Sequence, residues 1–341
     1  MDPILTPVSA ENWFVMATSK QLESGKTLAR ELMGLPIVLY RTSEGKVHAM
    51  EDRCPHKNVP LSMGKVEGEN LRCRYHGWSF SKKGDLAEVP SLGPSEPMPK
   101  CKVPSFEVIE KDDWIWIYGT PNVVPGFQPP SYPKDKSYGW FELHNVMDAP
   151  IDLVLENGFD CSHTGFTHEG LFRSRPIQFV DALIQDTDSG MQVETLGEKK
   201  PKSRGFGDVR VIADSSSEIR HIDAFIAPHT LRVDYWTGPG THIITFLVAT
   251  PETAERTRVY TRMAVRYGIW TWIMTHLIHL LTRVVVRQDK AILNAQAETI
   301  RRFGKRSFKL VDSDQPTNAF QQVFRRRAER RAGIKTVRYK L

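Results

Sequence analysis

The sequence predicts an α+β protein in which an N-terminal all-β module precedes a larger part built from antiparallel strands and late helices. Short strand-like runs separated by turn signals fill residues 1–120. A Pro-rich passage follows at 121–137. Beyond it, at 138–341, strand patterns give way to two long helical patterns, an order typical of an antiparallel sheet covered by helices. These three ranges are the predicted first domain, linker and second domain.

The first domain is predicted from apolar runs between Gly-containing turns such as Ser24-Gly25-Lys26. The runs are Asn12–Ala17, Leu35–Tyr40, Val47–Met50, Trp78–Phe80, Val108–Glu110 and Asp113–Gly119. In the second domain a helix-compatible run, Ala149–Cys161, follows a strand at Trp140–His144. Mostly strands are then expected up to Val265, with a turn at Pro251-Glu252. Long helices are expected over Trp270–Arg302 and Thr317–Ala332.

Ile269–Val286 is the most apolar run of the chain and raises the question of a membrane helix. Arg283 lies within it, and a charged side chain is costly at the centre of a bilayer. We therefore expect a buried helix and no integral membrane segment. His276 and His279 are spaced as metal ligands on one helix face, but pocket-lining or core positions are the simpler expectation.

Composition describes an ordinary soluble globular protein, with 40% hydrophobic and 25% charged residues in 341. Four cysteines and an N-terminus without a basic, then apolar, leader fit a cytoplasmic protein better than a disulfide-rich secreted one. The net charge of +6 is uneven, since residues 301–341 carry 13 Lys and Arg against 3 Asp and Glu. No nucleic-acid-binding motif accompanies this tail, so a solvated helix face or a docking surface for an acidic electron carrier is expected.

Two mixed Cys/His pairs form the strongest motif: Cys54 and His56, then Cys73 and His76. This is the ligand set of a Rieske [2Fe–2S] cluster, in which two histidines replace two cysteines on one iron. Zinc sites more often pair like with like, as Cys-x2–4-Cys and His-x3–5-His. A Cys54–Cys73 disulfide is also disfavoured, because only Cys101 and Cys161 would remain.

A second set of metal-ligand residues follows in the second domain. His163 and His168 lie five residues apart, a spacing that fits a helix end running into a turn. Two imidazoles and one distant carboxylate form the facial triad of non-haem Fe(II) oxygenases, which leaves coordination positions open for O2. Asp289 is the favoured third ligand and Glu298 the fallback.

Together the two constellations resemble the oxygenase α-subunits of the Rieske non-haem iron oxygenases, most of all the shorter monooxygenase branch of vanillate and dicamba O-demethylases. The motifs behind the resemblance are the two cluster pairs, Asp160-x2-His163-x4-His168 and Gln288-Asp289-Lys290. The resemblance implies a β Rieske domain followed by a helix-grip catalytic domain. Arg74 departs from the proline of many members but lies between ligands.

The resemblance also implies cofactors, partners and roles. Electrons from NAD(P)H would arrive through a reductase, often with a ferredoxin, at the cluster and then at the mononuclear iron. The subunits would form a homotrimer in which Asp160 bridges His76 of the adjacent subunit to His163. A surface carboxylate remains the alternative for Asp160. Asn157 would approach the iron or substrate, or serve as a capping or core amide.

Three functions remain open at this point. The first is a monooxygenase or demethylase acting with O2 on an aromatic or other apolar small molecule. The second is a cis-dihydroxylating dioxygenase, which shares the same iron ligands. The third is a non-catalytic Rieske electron-transfer protein, which about 220 residues beyond the first domain and a second ligand set disfavour.

Overall fold

The protein is described by a computed structural model, which covers residues 8–93, 95–132, 134–169, 171, 179–199, 218–326 and 334–340. The chain divides into two compact units. The first comprises Val8–Pro133 and Thr250–Ala254, and the second comprises Lys134–Ala249 and Glu255–Leu341. The predicted α+β architecture is confirmed, with β-sheets in the first unit and a sheet with helices in the second.

The first unit contains three small antiparallel sheets. Their strands are β1 Trp13–Thr18, β2 Thr27–Leu32, β3 Leu35–Arg41, β4 Val47–Glu51, β5 Lys65–Glu67, β6 Asn70–Arg72, β7 Ser79–Phe80, β8 Leu86–Glu88, β9 Ser105–Phe106, β10 Val108–Lys111 and β11 Trp114–Tyr118. The sheet orders are β1-β11-β10, β2-β3-β4-β9 and β5-β6-β7-β8. Every residue of β11 is buried, because both faces of this strand are covered.

The short addition Thr250–Ala254 belongs to the first unit because its backbone is hydrogen-bonded there. The N–H groups of Met33 and Gly34 donate to the carbonyls of Pro251 and Glu252, at 2.8 and 2.7 Å. These residues continue a strand, and the chain turns only at Ala254-Glu255. The predicted turn at Pro251-Glu252 is therefore wrong, since proline is tolerated at a strand position that needs no N–H donor.

The second unit is built on one eight-stranded antiparallel sheet. Its strands are β12 Gly139–Met147, β13 Phe179–Thr187, β14 Gly190–Lys199, β15 Glu218–Ile226, β16 Thr230–Trp236, β17 Thr241–Thr253, β18 Arg256–Tyr267 and β19 Ile334–Lys340. The order across the sheet is β12-β18-β17-β16-β15-β14-β13-β19. The C-terminal strand β19, which the sequence reading missed, thus closes the sheet edge beside β13.

Within the described residues, four α-helices accompany this sheet: α1 Ile151–Asn157, α2 Thr164–Thr167, α3 Thr271–Phe303 and α4 Gln315–Arg326. The predicted helix Ala149–Cys161 ends early, at Gly158, where a Cβ atom would lie 2.3 Å from Leu231 Cδ1. A short 3-10 helix, Cys161–His163, takes its place before α2. The end of the predicted last helix and the tail arginines Arg327, Arg330 and Arg331 lie outside the described residues.

Helix α3 is buried on one side only, so the expectation of a buried helix is wrong for the other side. Met274 and Ile278 pack with Phe141 of β12 and Met263 of β18. The opposite side exposes large apolar residues, led by Trp272 at 72%. By length and composition Gly268–Phe303 would suffice to cross a membrane, the one such segment among the described residues.

The two histidines of α3 have different surroundings. His276 is exposed, and its Nδ1 lies 2.8 Å from the Trp272 carbonyl oxygen one turn earlier. His279 is half-buried and stacks on Phe141, with ring centroids 4.7 Å apart. Neither lines the large cavity described below. Of the two expected settings, pocket wall or core, His279 takes the second, because it packs on a core residue, whereas the exposed His276 takes neither in the described structure.

Candidate metal centres

Two tight loops of the first unit bring the four predicted cluster ligands together. In the first loop the Cys54 N–H donates to the Val59 carbonyl at 2.9 Å. In the second loop the Cys73 N–H donates to the Trp78 carbonyl at 2.8 Å, and the chain turns at Gly77 with φ of +74°. Both loops therefore present a Cys and, two or three residues later, a His on the same side of the turn.

The thiols lie inside and the imidazoles lie toward the surface. Cys54 and Cys73 are buried in one core cluster, 2% and 3% exposed. The rings of His56 and His76 meet edge to face, with centroids 4.5 Å apart, and His56 also stacks on Trp78. His76 is exposed. The site thus has two cysteine sulfurs on its core side and two imidazoles on its surface side.

The chemistry of this donor set fits an iron–sulfur cluster. Burial raises the pKa of Cys54 to about 11, so thiolates here require a nearby positive charge such as that of iron. Nδ1 of His56 is buried and accepts or donates no hydrogen bond within the described part of the chain. A buried, unpaired imidazole nitrogen is costly unless it binds a metal or another partner.

Arg72 holds the second loop in shape. Its Nη1 donates to the Gly77 carbonyl at 2.7 Å, while Nε and Nη2 bind Glu67 and Glu88 at 2.5 and 2.6 Å. The guanidinium therefore ties the turn that carries His76 to two strands of the same sheet. Because this turn is fixed, His76 is oriented before a metal binds.

The second constellation also converges, and the predicted ligands come from three elements. His163 ends the 3-10 helix, His168 follows α2 and Asp289 lies on α3. The two Nε2 atoms are 3.2 Å apart, and Asp289 Oδ1 lies 3.4 Å from that of His163 and 3.0 Å from that of His168. These three atoms are close enough to bind one cation together.

The hydrogen bonds made by the two Nδ1 atoms explain why the two Nε2 atoms and Asp289 Oδ1 require a cation between them. His168 Nδ1 lies 2.9 Å from Gln288 Oε1, and His163 Nδ1 is hydrogen-bonded to the Asp160 carbonyl. Both oxygens are acceptors, so each Nδ1 carries the proton and each neutral ring presents its Nε2 lone pair to the centre. Two lone pairs and a carboxylate therefore face one another, which is the donor set of a metal site.

The pKa values respond to this crowding. Burial alone would raise the pKa of Asp289, but the two adjacent imidazoles, which can take up protons when no metal is bound, outweigh burial and lower it. Burial would lower the pKa of His168, but the Asp289 carboxylate outweighs burial and raises it. A proton on His168 is thus the alternative to a metal ion. The fallback ligand Glu298 is not at this site, because it pairs with Arg301 and Arg302 at 2.8 and 2.9 Å.

Asp160 and Asn157 lie beside the triad and line the same cavity. Asp160 Oδ1 accepts from the Ser162 N–H and hydroxyl, at 3.1 and 2.6 Å, and from the His163 N–H at 3.2 Å. These bonds cap the 3-10 helix and leave the side chain 36% exposed. The carboxylate is therefore fixed next to a candidate metal ligand, His163, and is still accessible.

The cavity has a volume of about 320 Å³ and is lined mainly by apolar side chains. The triad, Asp160 and other polar side chains form one part of the lining, the others being Asn157, Glu198, His221, Asp223 and several threonines. Aliphatic residues of β16, β17, β18 and α3 form much of the rest, including Val233, Leu247, Met263, Leu281 and Val285. Such a pocket suits a small molecule that is largely apolar.

A buried series of hydrogen bonds in the same cavity wall was not predicted from the sequence. Asp223 accepts from Cys161 Sγ at 3.3 Å through Oδ2, and its Oδ1 lies 2.8 Å from His221 Nε2. His221 stacks on Tyr235, with ring centroids 3.9 Å apart. The i and i+2 positions of His221 and Asp223 on a strand were the available signal, but their partner Cys161 lies 62 residues away.

Comparison with known proteins identifies both units. Residues 12–107 match the Rieske [2Fe-2S] domain, and residues 147–330 match the vanillate O-demethylase oxygenase C-terminal domain. The oxygenase component of dicamba O-demethylase from Stenotrophomonas maltophilia is 26% identical over 307 residues, covering 83% of this chain and 86% of the relative. The crystal structure of dicamba monooxygenase bound to dicamba has the same fold, with a TM-score of 0.74, 21% identity and coverage of 93% and 97%.

A 4β-methylsterol monooxygenase from Methylococcus capsulatus is 32% identical over 193 residues, which cover 53% of this chain. The chain spans only 50% of the length of that relative. The second domain model alone covers more than half of the chain, and the Rieske model covers most of the remainder. This chain therefore carries a Rieske [2Fe–2S] domain and belongs to the vanillate O-demethylase branch of the Rieske non-haem iron oxygenase components.

Proposed function

We propose that this chain is the terminal oxygenase component of a Rieske-type system. It uses O2 and electrons from NAD(P)H, delivered by a reductase or ferredoxin, to hydroxylate or oxidatively demethylate an aromatic or other apolar small molecule. The observation that carries the proposal is the convergence of His163, His168 and Asp289 on the wall of an apolar cavity, in a chain that also has a Rieske domain.

We assign a separate set of ligand residues to each metal group. Cys54, Cys73, His56 and His76 would hold the [2Fe–2S] cluster, and His163, His168 and Asp289 the mononuclear iron. The cluster supplies single electrons, and an iron held by two histidines and one carboxylate supplies open positions at which O2 can bind.

The surrounding residues orient these ligands. Gln288 and the Asp160 carbonyl accept the Nδ1 protons of His168 and His163, which fixes both rings and directs the Nε2 lone pair of each neutral ring toward the metal site. The aliphatic wall excludes water and binds the apolar body of the substrate. Asn157, on the same wall, is placed to hydrogen-bond a substrate or an iron-bound group.

Asp160 is proposed as the bridge for electron transfer between subunits. Its carboxylate is fixed by Ser162 yet 36% exposed, and His76 at the cluster is exposed as well. A carboxylate placed between two imidazoles couples their orientation and charge, and Asp160 Oδ2 lies 4.0 Å from His163 Nδ1. The assignment requires a closed ring of subunits, which we propose to be a homotrimer.

Hydroxylation or demethylation is favoured over cis-dihydroxylation by one of the relatives. The match to the dicamba O-demethylase oxygenase component covers 86% of the length of that relative. The iron ligands are common to both reactions and do not distinguish them. A purely electron-transferring role would leave the second ligand set and its cavity without a use.

The test is oxygen consumption by the iron-loaded protein with NADH and a surrogate reductase, across a panel of methoxylated and unsubstituted aromatic compounds. We expect at least one compound to stimulate uptake, and product from labelled O2 to contain one oxygen atom from O2. The variant Asp289→Ala should show no stimulation. Electron acceptance by the cluster without any substrate-stimulated uptake would refute the oxygenase proposal.

A further inference from the structure

The exposed side of α3 carries a continuous apolar stripe. Ile273, Leu277, Leu280 and Val284 recur at intervals of four, three and four residues, so they lie along one face of the helix. Their exposed fractions are 49%, 47%, 59% and 41%. We call these four residues, together with Ile269, Trp270 and Trp272, the α3 apolar face. Large apolar side chains scattered singly are normal on a surface, but a contiguous face marks an interaction site.

Aromatic residues stand at one end of this face. Trp272 is 72% exposed, Trp270 49% and Ile269 92%. Tryptophan is favoured where an apolar phase meets water, because its ring is apolar and its N–H remains hydrated.

The charges beside the face are positive. Arg283 and Arg287 are exposed and lie on its flank, and neither pairs with a carboxylate in the part of the chain that the structure describes. Between Arg266 and Lys290 the sequence contains one acidic residue, Asp289, which faces the two iron-ligand histidines instead. The face therefore complements an apolar surface bordered by negative charge.

The helix cannot leave its sheet to cross a bilayer without losing its packing. Thr275 closes on Gly139, where a Cβ atom would lie 2.0 Å from Thr275 Oγ1. Ile278 and Met274 are 5% and 3% exposed in a core cluster with Phe141 and Met263. A helix that is held by the protein on one side and apolar on the other side can contact a bilayer only by lying along its surface.

We propose that the α3 apolar face docks this protein on the surface of an anionic lipid bilayer. Trp270, Trp272 and the aliphatic stripe enter the boundary between headgroups and acyl chains, while Arg283 and Arg287 bind lipid phosphates. The same helix supplies Asp289 to the metal centre from its other side. Docking would thus bring the catalytic unit next to the phase in which apolar compounds collect.

The experiment is co-flotation of the full-length, metal-loaded protein with vesicles of phosphatidylcholine, with and without added phosphatidylglycerol. We expect binding to the mixed vesicles that weakens in high salt. The double variant Leu277→Gln/Leu280→Gln should bind at least roughly tenfold more weakly, since two apolar side chains that would enter the bilayer are replaced by polar ones. Phe303→Ser is the matched control, because Phe303 is 76% exposed near the end of the same helix but off this face.

A second pair of variants, Arg283→Gln and Arg287→Gln, should lose the preference for phosphatidylglycerol and keep residual binding to phosphatidylcholine. Equal flotation of wild-type protein and the leucine double variant would overturn the proposal. So would a change in sedimentation velocity caused by the leucine substitutions without lipid, because the face would then be an interface between protein copies.

Discussion

At the scale of single residues, the candidate iron site is defined by the direction of the histidine lone pairs. Nδ1 of His163 and Nδ1 of His168 each face an oxygen acceptor, so both Nε2 atoms present lone pairs to the Asp289 carboxylate. Three acceptors within 3.4 Å of one another repel unless a proton or a cation lies between them. This requirement makes Asp289 the residue whose removal is most informative.

Replacing Asp289 by alanine should remove the mononuclear iron and leave the visible spectrum of the Rieske cluster unchanged. One of three ligands is lost at the triad, whereas the cluster residues lie in the other unit. Elemental analysis together with absorption spectroscopy measures both groups. The matched control is Glu298→Ala, which removes a carboxylate of the same helix that pairs only with arginines. Full iron retention in Asp289→Ala would contradict the ligand assignment.

Replacing Asp160 by asparagine should keep both metal groups but lower turnover roughly 10–100-fold. The amide oxygen can still accept from the Ser162 and His163 N–H groups, so the 3-10 helix remains capped. The lost charge weakens coupling between the two imidazoles of the proposed bridge. Steady-state oxygen uptake and single-turnover oxidation of the cluster measure the effect, with Asp186→Asn as control. Unchanged turnover would exclude Asp160 as the bridge.

Glu156 makes stability depend on pH. Burial raises its pKa to about 7, and Gln321 Nε2 donates to the carboxylate. Between pH 4.5 and 7 the folded protein therefore binds a proton that the unfolded chain releases, so this group destabilises the fold as pH rises.

Glu156→Gln removes that titration. From about pH 5 to about pH 8, the free energy of unfolding of the variant should improve by roughly 2–3 kcal/mol relative to that of the wild type. Urea titrations at several pH values measure this difference, and Glu11→Gln on the surface serves as control. A difference between Glu156→Gln and wild type that does not change with pH would contradict the prediction.

At the scale of elements, α4 is attached to the second unit by an aromatic cluster. Phe320 is fully buried and its ring centroid lies 5.2 Å from that of Phe159, 5.1 Å from that of Phe225 and 5.3 Å from that of Phe324. Phe159 follows α1 and Phe225 lies on β15, so the cluster joins both helices to the sheet.

Phe320→Ala should therefore destabilise the second unit by about 3–5 kcal/mol, through lost apolar burial and the cavity that remains. Chemical denaturation followed by tryptophan fluorescence measures the loss. Phe308→Ala, at a position 43% exposed, should cost far less. Similar losses for the two variants would show that the cluster does not hold α4.

The elements that local pattern predicts well are those bounded by strong turn signals. The strands β1, β3, β4 and β11 and the start of α3 lie within a few residues of expectation. The end of α1 was not predictable, because Gly158 is required by the close approach of Leu231 from a distant strand. Strand β19 was not predicted, because its partner β13 lies far away in the sequence and local pattern does not reveal such a pairing.

The site residues also divide into those predicted from local motifs and those that depend on contacts between distant parts of the sequence. His163, His168 and Asp289 were predicted from motif and resemblance, and the structure brings their ligand atoms together. The Cys161–Asp223–His221 chain was not predicted, because only folding of the sheet brings β15 against the 3-10 helix. The apolar pattern of α3 likewise could not reveal that one side stays exposed, since burial depends on what packs against it.

At the scale of the whole molecule, the proposed function assigns electron storage to the first unit and oxygen activation to the second. The first unit has the donor set of a [2Fe–2S] cluster and the second has the triad of a mononuclear iron site. Each unit folds around its own ligands, so the two metal groups should be lost independently.

The most direct test of this account is the iron and acid-labile sulfide content of the reconstituted chain. We predict about three iron atoms and about two sulfides per chain, falling to about two and two in Asp289→Ala. Two iron atoms and two sulfides in the fully reconstituted wild-type protein, unchanged by Asp289→Ala, would show that the chain only carries electrons and would contradict the central claim.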